Sequence, residues 1–382
     1  MTMPSWKDKL NGDSVPWLLE NDKTQPAIRY YTLRDILGRD ENDKEVKAAR
    51  AAIMASGPVP VILAAQHPEG YWGKRPRYTG TMPAIVFMAQ LGADGADPRI
   101  HASCEILLSR YIDSDGAPLG SLSLKGTPSG SSYCTAGIMG AALIDFGWLE
   151  DQRLQTAMEW LAQTITGEGV ADTSERDTNK RYGKSRSSAP SFACPQRNAD
   201  LPCAWGAIKV MIALNKVPTA QRTKNMQEAI KRGVDFLLSH DPAVADYPFG
   251  RGNRPSSTWF KFYYPLRSEA DVLQNLEVLA ALGQAKNPKL ANALDLVISK
   301  QNQQGRWLLE RTYKELADTQ EKKVFYWYQN SLRLYITGKE LAEIQEKKGQ
   351  PSKWVTLRAL RVLKAAYPEN AVTVAKKLGL KS

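Results

Sequence analysis

The 382-residue sequence predicts an all-α protein, an α6/α6 toroid in which about six outer helices surround six inner ones. Two observations lead there. The first is a short pattern, Q-x-x-x-G-x-W, that occurs at Gln66-His-Pro-Glu-Gly70-Tyr-Trp72 and again at Gln301-Asn-Gln-Gln-Gly305-Arg-Trp307, each time after an apolar helical run. Such a segment ends a helix: glycine permits the reversal, the tryptophan folds back as an apolar stopper, and the glutamine amide satisfies loose backbone groups. The second is an alternation between strongly apolar helical runs and helices with one charged face, the pattern expected of stacked helix pairs.

Taken in order, the apolar runs are 27–37, 81–91, 132–146, 202–214, 269–282 and 352–366. They are rich in Ala, Leu, Ile, Val and Met and read as inner helices buried on more than one side. The partners with a charged face are 43–66, 98–111, 152–164, 222–240 and 288–301, with a short final helix near 369–377. Degenerate copies of the turn follow at 104–116, at 157–163 with Gly167 and Gly169, and at 233–240, giving an irregular period of roughly 45 to 75 residues. The segment 314–348 stands outside this alternation. It is expected to be a helical insertion in an otherwise single domain spanning 1–382.

Composition agrees with one large domain: 43% of residues are hydrophobic and no Gly/Ser-rich break divides the chain. No apolar run approaches the ~20 residues of a membrane span. The N-terminal residues lack a signal-peptide core, and four irregularly spaced cysteines do not suggest a secreted disulfide framework, so a cytoplasmic protein is expected.

The net charge is +11, and its placement matters. Lys74, Arg75 and Arg77, then Arg176, Lys180, Arg181, Lys184 and Arg186, then Arg251, Arg254, Lys261 and Arg267 all lie between an outer helix and the next inner one. A ring of cations around the mouth where inner helices begin would steer an anion inward. No nucleic-acid-binding motif accompanies the charge, so a small anionic substrate is expected rather than a polynucleotide; a solvated rim is the bland alternative.

The repeats resemble the QW-motif superfamily, which holds squalene and oxidosqualene cyclases and the β subunits of protein prenyltransferases. The resemblance covers most of the chain as repeat architecture and implies a lumenal site for hydrophobic substrates. The acidic D-x-D-D of squalene-type cyclases is absent, the nearest string being Asp113-Ser-Asp115-Gly in a repeat turn. Against the D-C-T-A-E of oxidosqualene cyclases, Tyr133-Cys134-Thr135-Ala136-Gly137 keeps only C-T-A. Without the acid, polyene cyclisation triggered by protonation is in doubt.

The prenyltransferase β subunits hold zinc near inner-helix starts, and here Cys134, Cys194, Cys203 and His240 fall near that rim, a donor set suited to tetrahedral zinc. Core packing of the cysteines and a helix-dipole role for His240 are the bland alternatives. Asp271 is the candidate acid/base, with Tyr133 a weaker one, although Asp271 also suits a helix N-terminus. Arg77 and Arg267, each shortly before an inner helix, are expected to hold the anion. Trp205, Trp259, Tyr263 and Trp354 are expected to form an aromatic wall, or else to pack the core. The resulting expectation is an enzyme of lyase, isomerase or transferase type acting on a small hydrophobic, isoprenoid-like or aromatic, anionic substrate. The alternative is a non-catalytic toroid that binds a hydrophobic ligand or a protein partner.

Overall fold

Several helices begin where the sequence supplies a side-chain cap. In a computed structural model that describes residues 4–72, 78–111, 133–166, 192–194, 198–244, 257–312 and 346–369, the side chain of Asp43 accepts from the amides of Glu45 and Val46 to start α3 (Lys44–Ala55). Thr223, Asp271 and Ser352 do the same for α10 (Lys224–Leu237), α11 (Val272–Ala281) and α13 (Lys353–Ala366). The remaining helices are α1 (Val15–Leu18), α2 (Pro26–Tyr31), α4 (Pro58–Ala64), α5 (Tyr78–Gln90), α6 (Pro98–Tyr111), α7 (Tyr133–Asp145), α8 (Gln152–Thr166), α9 (Ala204–Lys216) and α12 (Ala291–Ser299). A π-helical turn, Thr32–Ile36, prolongs α2.

The chain is an α/α toroid. Helix α5 packs on α7, α7 on α9, α9 on α11, α11 on α13, and α13 on α2. The last gap closes where Gly92, just past α5, meets Tyr31; a Cβ on Gly92 would stand 2.9 Å from the Tyr31 hydroxyl. Outside this ring α3 lies on α2, α6 on α5, α8 on α7, α10 on α9 and α12 on α11. Each inner run expected from the sequence is thus an inner helix, displaced by a few residues at most.

Both Q-x-x-x-G-x-W segments fold alike. Gly70 and Gly305 take positive φ, 86° and 68°. Trp72 and Trp307 are fully buried, and their indole N–H groups donate to Ile62 O (2.8 Å) and Val297 O (2.7 Å), each ten residues back. The glutamines then link neighbouring outer elements. Gln66 donates to Arg99 O and Ser103 Oγ of α6, whereas Gln301 donates to Lys9 O and accepts from Asn11 N. The N-terminal segment therefore stands where the next outer element is required, and Trp6 ties it to the end of α13 through Tyr367 O (2.7 Å).

Three features depart from expectation. The run 43–66 is two helices, because Ser56 is extended and Gly57 adopts φ 71° ahead of Pro58. The stretch Lys44–Ala64, 21 residues long, does match a membrane span in length and composition; the break and the packing of Val46, Ile53, Val59, Ile62 and Leu63 in the core show that it is folded as part of the outer layer. A short hairpin, β1 (Ala193–Cys194) with β2 (Asn198–Pro202), precedes α9. Most of the expected insertion, 314–345, and the expected helix after Glu369 lie outside the described residues. The chain beyond residue 345 pairs back on the second motif, with Leu309 N donating to Gln350 O and Ser352 N to Trp307 O.

Candidate functional site

The ring encloses a cavity of about 660 Å³, and every inner helix contributes a set of residues at helical spacing. Helix α7 gives Ile138, Ala141, Ala142 and Asp145; α9 gives Lys209, Ile212 and Lys216; α11 gives Gln274, Glu277, Val278 and Ala281. From α13 come Trp354, Arg358 and Arg361, from α5 Val86, Ala89 and Gln90, and from α2 with its π turn Tyr30, Tyr31, Arg34 and Asp35. The cavity lies toward the C-terminal ends of most inner helices, not at the mouth where they begin. The reason is the loop before α11. Its Leu266 is held on both sides by the Gln90 amide (2.8 and 2.9 Å), and its Tyr264 stacks on Trp354 at 4.2 Å between ring centres.

One wall is therefore aromatic. Trp354 meets Tyr264 face to face and Tyr31 edge-on at 6.1 Å, and Phe87 backs Tyr264. Beside it stands a cluster of cations. Arg34 and Arg361 both lie over the Tyr31 ring, 4.9 and 4.8 Å from its centre, and both pair with Asp35 at 2.5 Å. Burial pushes the Asp35 carboxyl up, but Arg361 and Arg34 outweigh it and hold it below the usual carboxylate range. Glu41 stands 3.7 Å from Arg34 and 3.8 Å from Arg50, so three guanidiniums share two carboxylates and leave a net positive charge there. Around the whole cavity six Lys or Arg side chains other than the buried Lys209 face four carboxylates, which favours an anion. Lys364 is spent differently, capping the carbonyls of Asp35 and Ile36.

Deeper in the wall lies a polar network. Arg358 binds Asp271 at 2.9 Å, Glu277 at 2.8 Å and Tyr263 O at 2.9 Å. Burial opposes the Arg358 charge, yet Asp271 and Glu277 outweigh it and raise the guanidinium pKa. Next to this group Lys209, fully buried, donates to the Gln274 side-chain oxygen. Burial pulls its ammonium down to about 7, with Arg358 acting in the same direction and Asp271, Cys134 and Glu277 against it.

The sequence-derived candidates distribute unevenly over this geometry. Trp354 and Arg267 line the cavity. Asp271 lies behind its lining, fully buried, where it caps α11 through Gln274 N (2.7 Å) and pairs with Arg358, so its carboxylate is already committed. Tyr133 donates to Thr164 O (3.0 Å), and Trp259 to Pro242 O (2.8 Å). Tyr263 is buried with its hydroxyl on Glu269 O, and Trp205 is buried at the start of α9. These four spend themselves on packing and backbone bonds away from the cavity lining.

Arg77 lies outside the described residues, as do most of the expected ring of cations; Lys261 is exposed. Cys203 is the buried residue before α9, Cys134 sits in the first turn of α7, and His240 Nδ1 is 2.7 Å from Ser239 Oγ after α10. Among the described residues no three Cys, His, Asp or Glu side chains converge as metal ligands, so a zinc donor set is incomplete without Cys194, whose side chain lies outside them.

Lys209, Gln274, Glu277, Arg358 and Arg361 were not anticipated. For Lys209, Gln274 and Glu277 the signal in the sequence is a polar residue inside an otherwise apolar inner helix, in phase with its lumenal residues, whereas Arg358 and Arg361 lie on a helix that also carries Lys353 and Lys364.

No protein-family model matches this chain, and no curated protein sequence matches it. Solved structures with a similar overall outline include a type II terpene cyclase from Scytonema in complex with geranylgeranyl dihydroxybenzoate (14% identity, 91% of this chain and 88% of that one, TM-score 0.41). An unsaturated glucuronyl hydrolase specific for heparin is another (11% identity, 94% and 88% covered, TM-score 0.44), and a protein from Actinoplanes a third (12% identity, 89% and 90%, TM-score 0.40). Likeness of that degree carries no argument about activity, and the toroid assignment rests on the closed ring of helix contacts.

Proposed function

We propose that this protein is an enzyme of isomerase, lyase or transferase type that takes a small, largely apolar substrate bearing an anionic group into the toroid lumen. The observation that carries the reading is the lumen itself: a cavity of about 660 Å³ with an aromatic wall at Tyr31, Tyr264 and Trp354 and a surplus of cations over carboxylates. A site of this size suits an aromatic or isoprenoid-like body, with few polar groups fixing its orientation. Arg34, Arg361 and Arg267 would hold the anion, and the stacked rings would cover the apolar part. Asp271 serves through Arg358, which it holds in place, and is a positioning residue in this scheme.

Binding of aryl and isoprenoid carboxylates, compared with the corresponding neutral alcohols, tests the reading. The acids are expected to bind about tenfold more tightly, roughly 1.4 kcal/mol, with the advantage lost in Arg361→Gln. Equal affinity for acid and alcohol would overturn the anion assignment. Mass spectrometry of the recovered ligand separates enzyme from binder: a ligand returned unchanged by wild-type protein favours a non-catalytic toroid. Zinc held by some combination of Cys134, Cys194, Cys203 and His240 is decided by elemental analysis. Metal near one per chain that falls in Cys203→Ser supports it, and active metal-free protein removes it.

A further inference from the structure

Helix α9 reads Ala204-Trp-Gly-Ala-Ile-Lys209-Val-Met-Ile-Ala-Leu214, a single lysine in a run otherwise free of charge. Its side chain is fully buried, and it shares the lumenal face of the helix with Ile212 and Lys216. Lysine is almost never fully buried unless a carboxylate pairs with it. Here the acceptor for the amine is the uncharged Gln274 side chain. The carboxylates of α11 in this region, Asp271 and Glu277, are bound at 2.9 and 2.8 Å by Arg358 of α13, and α7 contributes the Cys134 thiol. A desolvated lysine beside a cation is the arrangement that activates an amine as a nucleophile.

We propose that Lys209 is the reactive group of the lumen and that its amine adds to the carbonyl carbon of an apolar aldehyde or ketone carrying an anionic group. The inference rests on the proposed lumenal site and names its substrate class. In the first step the amine lone pair forms the C–N bond, the carbonyl π pair moves to oxygen, and one amine proton transfers to that oxygen. In the second, the carbinolamine loses its hydroxyl with the remaining amine proton as water, leaving an imine. Hydrolysis reverses both steps, so no oxidant or reductant is required. The depressed ammonium pKa, about 7, supplies free amine at neutral pH. Gln274 is the positioning residue: its backbone N–H donates to the Asp271 carboxylate, while its side chain covers the Lys209 amine and must turn aside to admit the carbonyl.

The test uses the full chain with phenylpyruvate and sodium cyanoborohydride at pH 7.5, and phenyllactate as a ligand of similar shape without the ketone. One stable adduct per chain is expected, mapped by peptide mass spectrometry to Lys209 and forming about tenfold faster than at any other lysine. Lys209→Met should lose it while still binding phenyllactate. The rate should fall as pH drops through about 7. If phenyllactate binds and phenylpyruvate is not trapped at Lys209, the imine inference is overturned and the lumenal reading stands. If neither compound binds, both fall. Mapping in the wild-type protein decides the matter even where the variant folds poorly.

Discussion

Arg358 governs what its neighbours can do. It is buried with Asp271 and also pairs with the half-buried Glu277, and the sequence hides the Asp271 pairing because Asp271 lies 87 positions away on another helix. Periodicity along one helix reveals which residues share a face, but not which face across the ring receives them. Asp271 was legible as a charge at a helix start, and that is where it caps α11; its engagement with Arg358 was not. Replacing Arg358 with Met would leave the Asp271 carboxylate buried without its cation, and a loss of about 3–5 kcal/mol is expected in denaturant unfolding. The motif tryptophans were more readable, since each is defined by local sequence. Trp72→Ala or Trp307→Ala should cost about 3–5 kcal/mol, as expected for emptying a fully buried aromatic site. Losses below about 1 kcal/mol would show that the two turns do not anchor the helix pairs.

At the scale of elements, hydrophobic periodicity placed the inner helices, because that signal is local. The end of the ring that holds the cavity was not legible. It depends on how the loop before α11 folds into the lumen, and that fold is fixed by Gln90, which is 176 positions from Leu266. The contact between α7 and α9 shows a similar limit. Gly137 looked like a departure from an acidic motif, but its role is spatial: a Cβ there would lie 2.5 Å from the Lys209 carbonyl carbon. Backbone atoms cannot yield as a side-chain tip can. Gly137→Ala is therefore expected to force α9 outward, destabilise by about 1–3 kcal/mol and displace the Lys209 amine. Unchanged stability and unchanged amine reactivity in this variant would contradict the close approach of the two helices.

Across the whole molecule, a buried lysine makes stability depend on pH, and the sign follows from linkage. The Lys209 ammonium titrates at about 7 in the folded chain against 10.5 for an unperturbed lysine. Between these values the unfolded chain binds a proton that the folded one does not, so stability rises with pH across the window and falls as pH is lowered toward 7. Below 7 both forms are protonated and the penalty is constant, on the order of 5 kcal/mol. Glu346 acts in a different window. Burial raises its carboxyl to about 7, against hydrogen bonds from Ser352 and the Lys353 and Trp354 amides, so its contribution falls as pH rises from the ordinary glutamate value of 4.5 toward 7. The two slopes have opposite signs and meet near neutrality, which makes the raw stability curve a poor readout of either group. Subtraction isolates Lys209. Lys209→Met removes its titration and leaves Glu346 in place, so the variant should be the more stable protein at pH 7, with the difference shrinking toward zero as pH approaches 10.5. Urea unfolding of both proteins at several pH values measures that difference directly. A pH-independent difference would mean that Lys209 keeps an ordinary pKa in the folded chain, and its amine would then be a charged structural group, unable to attack a carbonyl at neutral pH.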